Sequence, residues 1–446
     1  MPGAILKDIA RLGWPVLVGQ LAVMLNGVVD TVMAGRLGAA DLAAVGIGSS
    51  IFFSIFVTMM GVLIALTPVV AQLHGAGRFA EVGEEVRQSL WLGAALAAGA
   101  FALIYAPDAF LAFAQPAPEV EAKVRAYLRA LAFGVPAMMA FRVFYAFTTA
   151  VSRPRIVMLL NLGALALKVP LNVVFIHGLF GAPALGGPGC GVASAVTSWV
   201  IAAAALAVWL RDPAYRPYGV FARWSRPRGR EMLRLAQIGL PIGFNFLVDV
   251  TSFTFMALFI ARLGAASSAG HQVAANVTAV AYMLPLAMSS ATSVLVGQAI
   301  GAGDAARARQ TGLAGIGSGF ACGCAVALCV WLARDRIAAL YTEDAQVAAV
   351  AGTLLAWVAA YHLFDAASAV AVSALRGYKK TVVPMLCNLG ALWGLGLGGG
   401  YALAFGPLAR LGASGFWIGG VAGVVAGAAM IVAYFLAVSR PAASTR

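Results

Sequence analysis

RLGWPVLVGQLAVMLNGVVDTVMAGRLGAAD, residues 11 to 41, decides how the chain is read, because Asp30 sits near the end of an apolar run of membrane-spanning length. An ionised aspartate at that depth costs about 2.5 kcal/mol or more, so it is expected to face protein or water rather than lipid. The stretch has an echo. QIGLPIGFNFLVDVTSFTFMALFIARLGAASSAG, residues 237 to 270, repeats the opening Gly-x-Pro (Gly13 and Pro15, then Gly239 and Pro241). It also repeats the close, Arg36-Leu-Gly-Ala-Ala40 returning as Arg262-Leu-Gly-Ala-Ala266, and both matches share an offset of 226 residues with no gap.

Composition agrees with a membrane reading. Of 446 residues, 62% are hydrophobic and 11% charged, and mean hydropathy is +0.90. A soluble domain has about 45–50% apolar and about 25% charged residues, so this is a polytopic membrane protein. Cys190, Cys322, Cys324, Cys329 and Cys387 lie among Gly and Ala without a disulfide-like or metal-like spacing and read as small packing residues. The first apolar run carries Asp30 instead of a cleavage signature and reads as a retained span.

A spanning helix needs about 20 apolar residues. Twelve such runs are present, at 12–35, 43–72, 88–106, 125–150, 156–177, 189–210, 235–261, 270–300, 312–333, 347–374, 382–405 and 413–438. The linker 211–234 carries Arg211, Arg216, Arg223, Arg226, Arg228, Arg230 and Arg234, and divides the chain into an N-terminal lobe, 1–210, and a C-terminal lobe, 235–446. Of the 30 lysines and arginines, 20 fall on the side of the termini and this linker, 8 on the other, and Arg142 and Lys168 within spans. The asymmetry places both termini and the linker in the cytoplasm. It also speaks against nucleic acid as the partner of the net charge of +13, because the basic residues are scattered over many short segments.

The repeat runs through both halves. Gln72 to Gly77 falls on Gln298 to Gly303 at offset 226, and Asn161-Leu-Gly-Ala-Leu165 on Asn388-Leu-Gly-Ala-Leu392 at offset 227. Each half has an even number of spans, so the two are parallel, an arrangement typical of transporters.

Only Asp30, Asp249 and Asp365 among 17 acidic residues sit inside spans, and their offset positions hold no acid, so a symmetric scaffold carries asymmetric carboxylates. Asp249 and Asp365 can offer hard oxygens to a monovalent cation, or share a proton. Asn161, Lys168, Asn172 and Thr197 supply polar atoms to spans five and six, either as a functional network or as bonds between helices, and Lys168 can neutralise Asp30 if helix five packs beside helix one. Gly394-x-Gly396-x-x-Gly399 has dinucleotide-fingerprint spacing but lies inside an apolar span, and reads as close helix packing. No catalytic motif is present, so the chain is not expected to be an enzyme. The four histidines are too scattered for a metal site, although His362 lies three residues before Asp365.

Asp30-Thr-Val-Met-Ala-Gly35, the paired Gln-x-x-Gly-Ala-Gly exits, Leu185-Gly-Gly-Pro-Gly-Cys-Gly-Val-Ala193 and the run Asp365 to Tyr378 give the chain a specific likeness. It resembles the multidrug and toxic compound extrusion (MATE) transporters, in their NorM-like bacterial branch, over its whole length. The resemblance implies an all-α fold of two six-helix lobes around a V-shaped cavity, in the bacterial inner membrane. It implies export of cationic lipophilic compounds in exchange for inward Na+ or H+, without a cofactor, by a monomer surrounded by membrane lipid. Carried over by position, Asp30 is the helix-one acid, Asp365 the helix-ten acid, and Asp249 stands where the branch usually has glutamate. Tyr282 matches a helix-eight aromatic near the cation, and Ser50, Phe253, Gln272 and Asp344 match positions lining the drug cavity. The helix-five aspartate of a first-lobe cation site is missing, with Asn172 in that neighbourhood, which puts the coupling ion on Asp249 and Asp365. A flippase for lipid-linked saccharides is the alternative reading, disfavoured because three intramembrane acids outnumber Arg142 and Lys168.

The charge asymmetry has a direct check. Reporter fusions at Gly219 should read cytoplasmic and fusions near Pro116 periplasmic; opposite labels would overturn the orientation.

Overall fold

The structure is a computed structural model that describes residues 2–222, 225–406 and 410–440. Arg223 and Arg446, counted in the charge asymmetry, lie outside the described residues. Among the described residues twelve helices are long and apolar enough to cross a membrane. They are α1 Gly3–Gly35, α2 Ala39–Gly75, α3 Phe79–Tyr105, α4 Pro118–Ala150, α5 Pro154–His177, α6 Pro188–Arg211, α7 Gly229–Ala261, α8 Ala265–Gly301, α9 Ala305–Tyr341, α10 Ala345–Gly377, α11 Val382–Phe405 and α12 Ala413–Val438. Several run beyond the apolar spans because their polar ends continue the helical hydrogen bonding, which hydropathy does not register.

Two compact units emerge, but their limits fall elsewhere than at 210 and 235. One is Val18–Gly243; the other joins Met1–Leu17 to Phe244–Arg446. Close helix contact explains the shift. A Cβ added at Gly239 would lie 2.1 Å from the Val62 carbonyl oxygen of α2, and one at Gly243 would lie 2.6 Å from that of Thr58, so the first third of α7 packs against α2 at glycine distance. In the second unit Gly13 of α1 faces α8, with a Cβ 3.6 Å from the Ala287 carbonyl oxygen. The two Gly-x-Pro segments thus do the same job, each taking the start of its helix into the unit formed mainly by the other half of the chain.

The basic linker is likewise built into the first unit. Arg87 of α3, only 4% exposed, donates to the carbonyls of Gly219 at 2.9 Å and Val220 at 3.0 Å, and to the Ser225 hydroxyl at 3.0 Å. Gln88 donates to the Arg226 carbonyl at 3.0 Å and accepts from the Arg228 amide at 2.8 Å. Trp91 donates to the Ser225 carbonyl at 3.0 Å, and Arg234 pairs with Glu85. These bonds satisfy backbone groups that would otherwise need water, and the linker is fixed to α3 rather than hanging free.

The sequence repeat reappears as a repeated contact. Asn161 of α5 donates to the Gly19 carbonyl of α1 at 3.3 Å. Asn388 of α11 donates to Asn245 Oδ1 of α7 at 2.9 Å. Gly19 and Asn245 are equivalent at offset 226, and Asn161 and Asn388 at 227, so one helix pairing is built twice. Of the glycines of α11, Gly396 and Gly400 serve close packing, whereas a Cβ at Gly394 or Gly399 would meet nothing within 4 Å. A Cβ at Gly419 of α12 would fall 2.5 Å from the Gly396 carbonyl oxygen and 2.7 Å from Gly400 Cα. Over Leu389–Gly399 the backbone opens into wider π-type turns.

The different clearances at Gly13 and Gly239 make a paired prediction. Gly239→Ala should lower the detergent-solubilised protein's unfolding free energy by about 1–3 kcal/mol through overpacking, whereas Gly13→Ala should leave its melting temperature near wild type. Equal melting temperatures for the two variants would contradict the contact at Val62.

Candidate functional site

Asp30, the first unit's acid within a span, is partnered through one of its oxygens. Lys168 and Asn172 stand four residues apart on one face of α5, either side of Pro170 within the helix, and both reach Asp30 of α1. Asn172 Nδ2 donates to Asp30 Oδ1 at 2.8 Å, and the Lys168 ammonium lies 3.0 Å from the same oxygen. Lys168 also donates to the Cys190 carbonyl at 3.2 Å and to the Ser194 hydroxyl of α6. Asp30 is 7% exposed, Lys168 2% and Asn172 0%. The ammonium therefore has three fixed acceptors, and the carboxylate's charge is matched inside the protein. Of the other polar residues expected here, Asn161 serves the Gly19 contact instead, and the buried Thr197 hydroxyl has no hydrogen-bond partner among the described residues.

The second unit's acids are arranged differently. Asp249 of α7 and Asp365 of α10 are close enough to interact electrostatically, and Tyr282 of α8 and Tyr361 of α10 share their neighbourhood. Asn245, one helical turn before Asp249, directs its amide at Asp249 Oδ2 from 3.4 Å and is itself held by Asn388. Trp393 donates to the Val248 carbonyl at 3.3 Å. Asp365 Oδ2 lies 3.6 Å from His362 Nδ1, an ion pair only if the ring is protonated. His362 is 0% exposed, and neither ring nitrogen has a hydrogen-bond partner among the described residues. No lysine or arginine reaches ion-pair distance of Asp249 or Asp365 among the described residues. Two neighbouring carboxylates without a resident cation can bind a small hard cation or share a proton. Among the described residues no group of three or more His, Cys, Asp and Glu side chains forms a larger metal site.

The remaining residues are more dispersed. Ser50 belongs to the first unit, on α2, with its hydroxyl bonded to the Gly46 carbonyl at 2.9 Å. Phe253 sits edge-on to Tyr361 and Trp417, at 6.2 and 6.4 Å between ring centroids. Gln272 is exposed on α8 and bonds Asn276 at 3.3 Å. Asp344 caps α10, its Oδ1 accepting from the amides of Gln346 at 2.8 Å and Val347 at 3.1 Å. A role at the helix start is thus built into Asp344 whatever else it contacts.

Sequence reasoning missed Ser194, the Cys190 carbonyl and Asn245. Asn245 had a usable signal, its four-residue spacing to Asp249, and its partner Asn388 lies in the repeated Asn-Leu-Gly-Ala-Leu. The Cys190 carbonyl had none, because a backbone acceptor leaves no mark on residue type.

The chain is similar to known proteins along nearly its whole length. The MatE family model matches twice, over residues 15–174 and 241–402, the two matches beginning 226 residues apart. The chain is 43% identical over 392 residues to the probable multidrug resistance protein NorM of Aromatoleum aromaticum, covering 88% of this chain and 85% of that protein. It is 40% identical over 437 residues to the probable multidrug resistance protein NorM of Chromobacterium violaceum, covering 97% and 93%. Its fold matches a crystal structure of MATE in the bent conformation with a TM-score of 0.90 at 20% identity, over 98% of this chain and 96% of that one.

The closed pair in the first unit predicts a characteristic pattern of stabilities. Lys168→Met should destabilise the protein by about 3–5 kcal/mol, because it leaves a buried carboxylate unpaired. Adding Asp30→Asn should recover much of that loss. Additive losses in thermal unfolding of Lys168→Met, Asp30→Asn and the double variant would show that the two side chains do not interact.

Proposed function

Because the chain belongs to the MatE family of multidrug transporters, we propose that it is a secondary antiporter that exports cationic lipophilic compounds in exchange for inward Na+ or H+. The observation that carries the coupling is the contrast between the two carboxylate sites. Asp30 already holds a lysine at 3.0 Å, whereas Asp249 and Asp365 share a neighbourhood without a lysine or arginine at ion-pair distance among the described residues. A small cation arriving at the second site relieves the repulsion of two neighbouring carboxylates. One arriving at the first must displace an ammonium with three fixed acceptors. The coupling ion therefore belongs on Asp249 and Asp365, beside Tyr282, whose ring can face a cation.

The substrate belongs with Asp30. By its position in the family Asp30 is a substrate contact with its Lys168 pair intact, while apolar and aromatic surface takes the body of a lipophilic organic cation. Ser50, Phe253, Gln272 and the second oxygen of Asp344 are further substrate contacts by their positions in the family. Transport follows from reciprocity, since ion and substrate drive each other only if they bias one two-state protein in opposite senses. The working location is the bacterial inner membrane, with both termini cytoplasmic, as the charge asymmetry supports, and the working unit is a monomer.

Gradient-driven release of a fluorescent cation from proteoliposomes tests the coupling site. Asp365→Asn and Asp249→Ala should abolish release driven by sodium or protons with expression intact, and Asp249→Glu should be tolerated because it keeps the carboxylate. Near-normal coupling in both Asp365→Asn and Asp249→Ala would move the ion site to Asp30 and Asn172.

A further inference from the structure

Arg376 stands on the last turn of α10, where a basic residue is expected to point to solvent and to contribute only to the charge asymmetry. Instead its guanidinium turns back onto α7 and lies 5.4 Å over the Phe246 ring. Phe246 and Asp249 are three residues apart on one face of α7, a single turn of about 5.4 Å. Arg376 also interacts electrostatically with Asp249 and Tyr282. No carboxylate lies within ion-pair distance of it among the described residues. The second unit therefore keeps an unpaired cation one helical turn from an unpaired acid.

Resting on the reading that Asp249 and Asp365 bind the coupling ion, we propose that Arg376 is the stand-in cation of that site. It is parked on Phe246 while the coupling ion is bound and drawn onto Asp249 when the ion leaves. A ring face is a weak, non-directional holder for a guanidinium compared with a desolvated carboxylate. A long arginine side chain can cover one turn of helix without backbone movement. Lys168 shows the alternative design, an ammonium fixed by Asp30, the Cys190 carbonyl and Ser194. Arg376 has the ring in place of such acceptors, so it is free to exchange. Its presence makes the coupling ion compete with an internal cation and spares the ion-free carrier a bare pair of carboxylates.

The test titrates the driving cation, Na+ at fixed pH or H+ without Na+, against release of ethidium from proteoliposomes. Arg376→Gln removes the competitor and should lower the half-saturating cation concentration about tenfold. Arg376→Lys, which keeps a mobile charge, should stay near wild type. Phe246→Leu removes the parking ring but not the charge, and should raise the half-saturating concentration several-fold. Opposite shifts in Arg376→Gln and Phe246→Leu are the signature that a merely structural arginine would not give. An unchanged half-saturation in Arg376→Gln, or shifts of the same sign, would overturn the role of Arg376 while Asp249→Ala still abolishes cation dependence. Retained cation dependence in Asp249→Ala would instead overturn the coupling site itself, and the role of Arg376 with it.

Discussion

A carboxylate carried into a membrane must be matched, because the hydrocarbon around it supplies neither water nor counter-ions. The two units meet that demand in opposite ways. In the first, Lys168 and Asn172 close on Asp30 at 3.0 and 2.8 Å, and the pair is sealed among buried groups. In the second, Asp249 and Asp365 interact with each other, beside the Asn245 amide and the buried His362 and without a lysine or arginine at ion-pair distance among the described residues, and the arginine in their neighbourhood rests on a phenylalanine. One arrangement is complete without an added ion and the other invites one. A closed pair needs no added cation, and an open pair suits a site that fills and empties with a gradient.

The scaffold that holds these groups is a duplicated helix set whose duplication is physical as well as textual. The Asn161 bond to α1 and the Asn388 bond to α7 are the same contact made at equivalent positions. Those bonds fix α5 beside α1 and α11 beside α7, and the first pairing is what brings Lys168 and Asn172 to Asp30. The glycines at the start of α7 let that helix approach α2 to backbone contact. The linker bonds of Arg87, Gln88 and Trp91 then hold the segment leading into α7. The copies differ in their acids, since none of the three intramembrane carboxylates has a carboxylate at its equivalent position.

Much of this could be read directly from residue order. Apolar runs marked all twelve helices because hydrophobic length is the dominant constraint in a bilayer. The placement of Lys168 against Asp30 followed from charge alone, once α5 was allowed beside α1. The limits of the two units were not legible, because the bonds from Arg87, Gln88 and Trp91 that hold the linker to α3 are long-range in sequence. The partner of Arg376 was hidden for a related reason. At the end of an apolar run a basic residue normally reaches for water, and the ring that holds this one, Phe246, lies on another helix 130 residues earlier. Residue type reported depth well and direction poorly.

The central claim, that the coupling cation binds the second unit and leaves the sealed pair of the first alone, can be tested without transport. Hydrogen–deuterium exchange on the purified protein, with and without saturating Na+ and at high and low pH, reports which helices the cation steadies. Added protection around Asp249 on α7 and Asp365 on α10, with the segments around Asp30 and Asn172 unchanged, is the expected result. Protection centred on α1 and α5, with α7 and α10 unaffected, would contradict it.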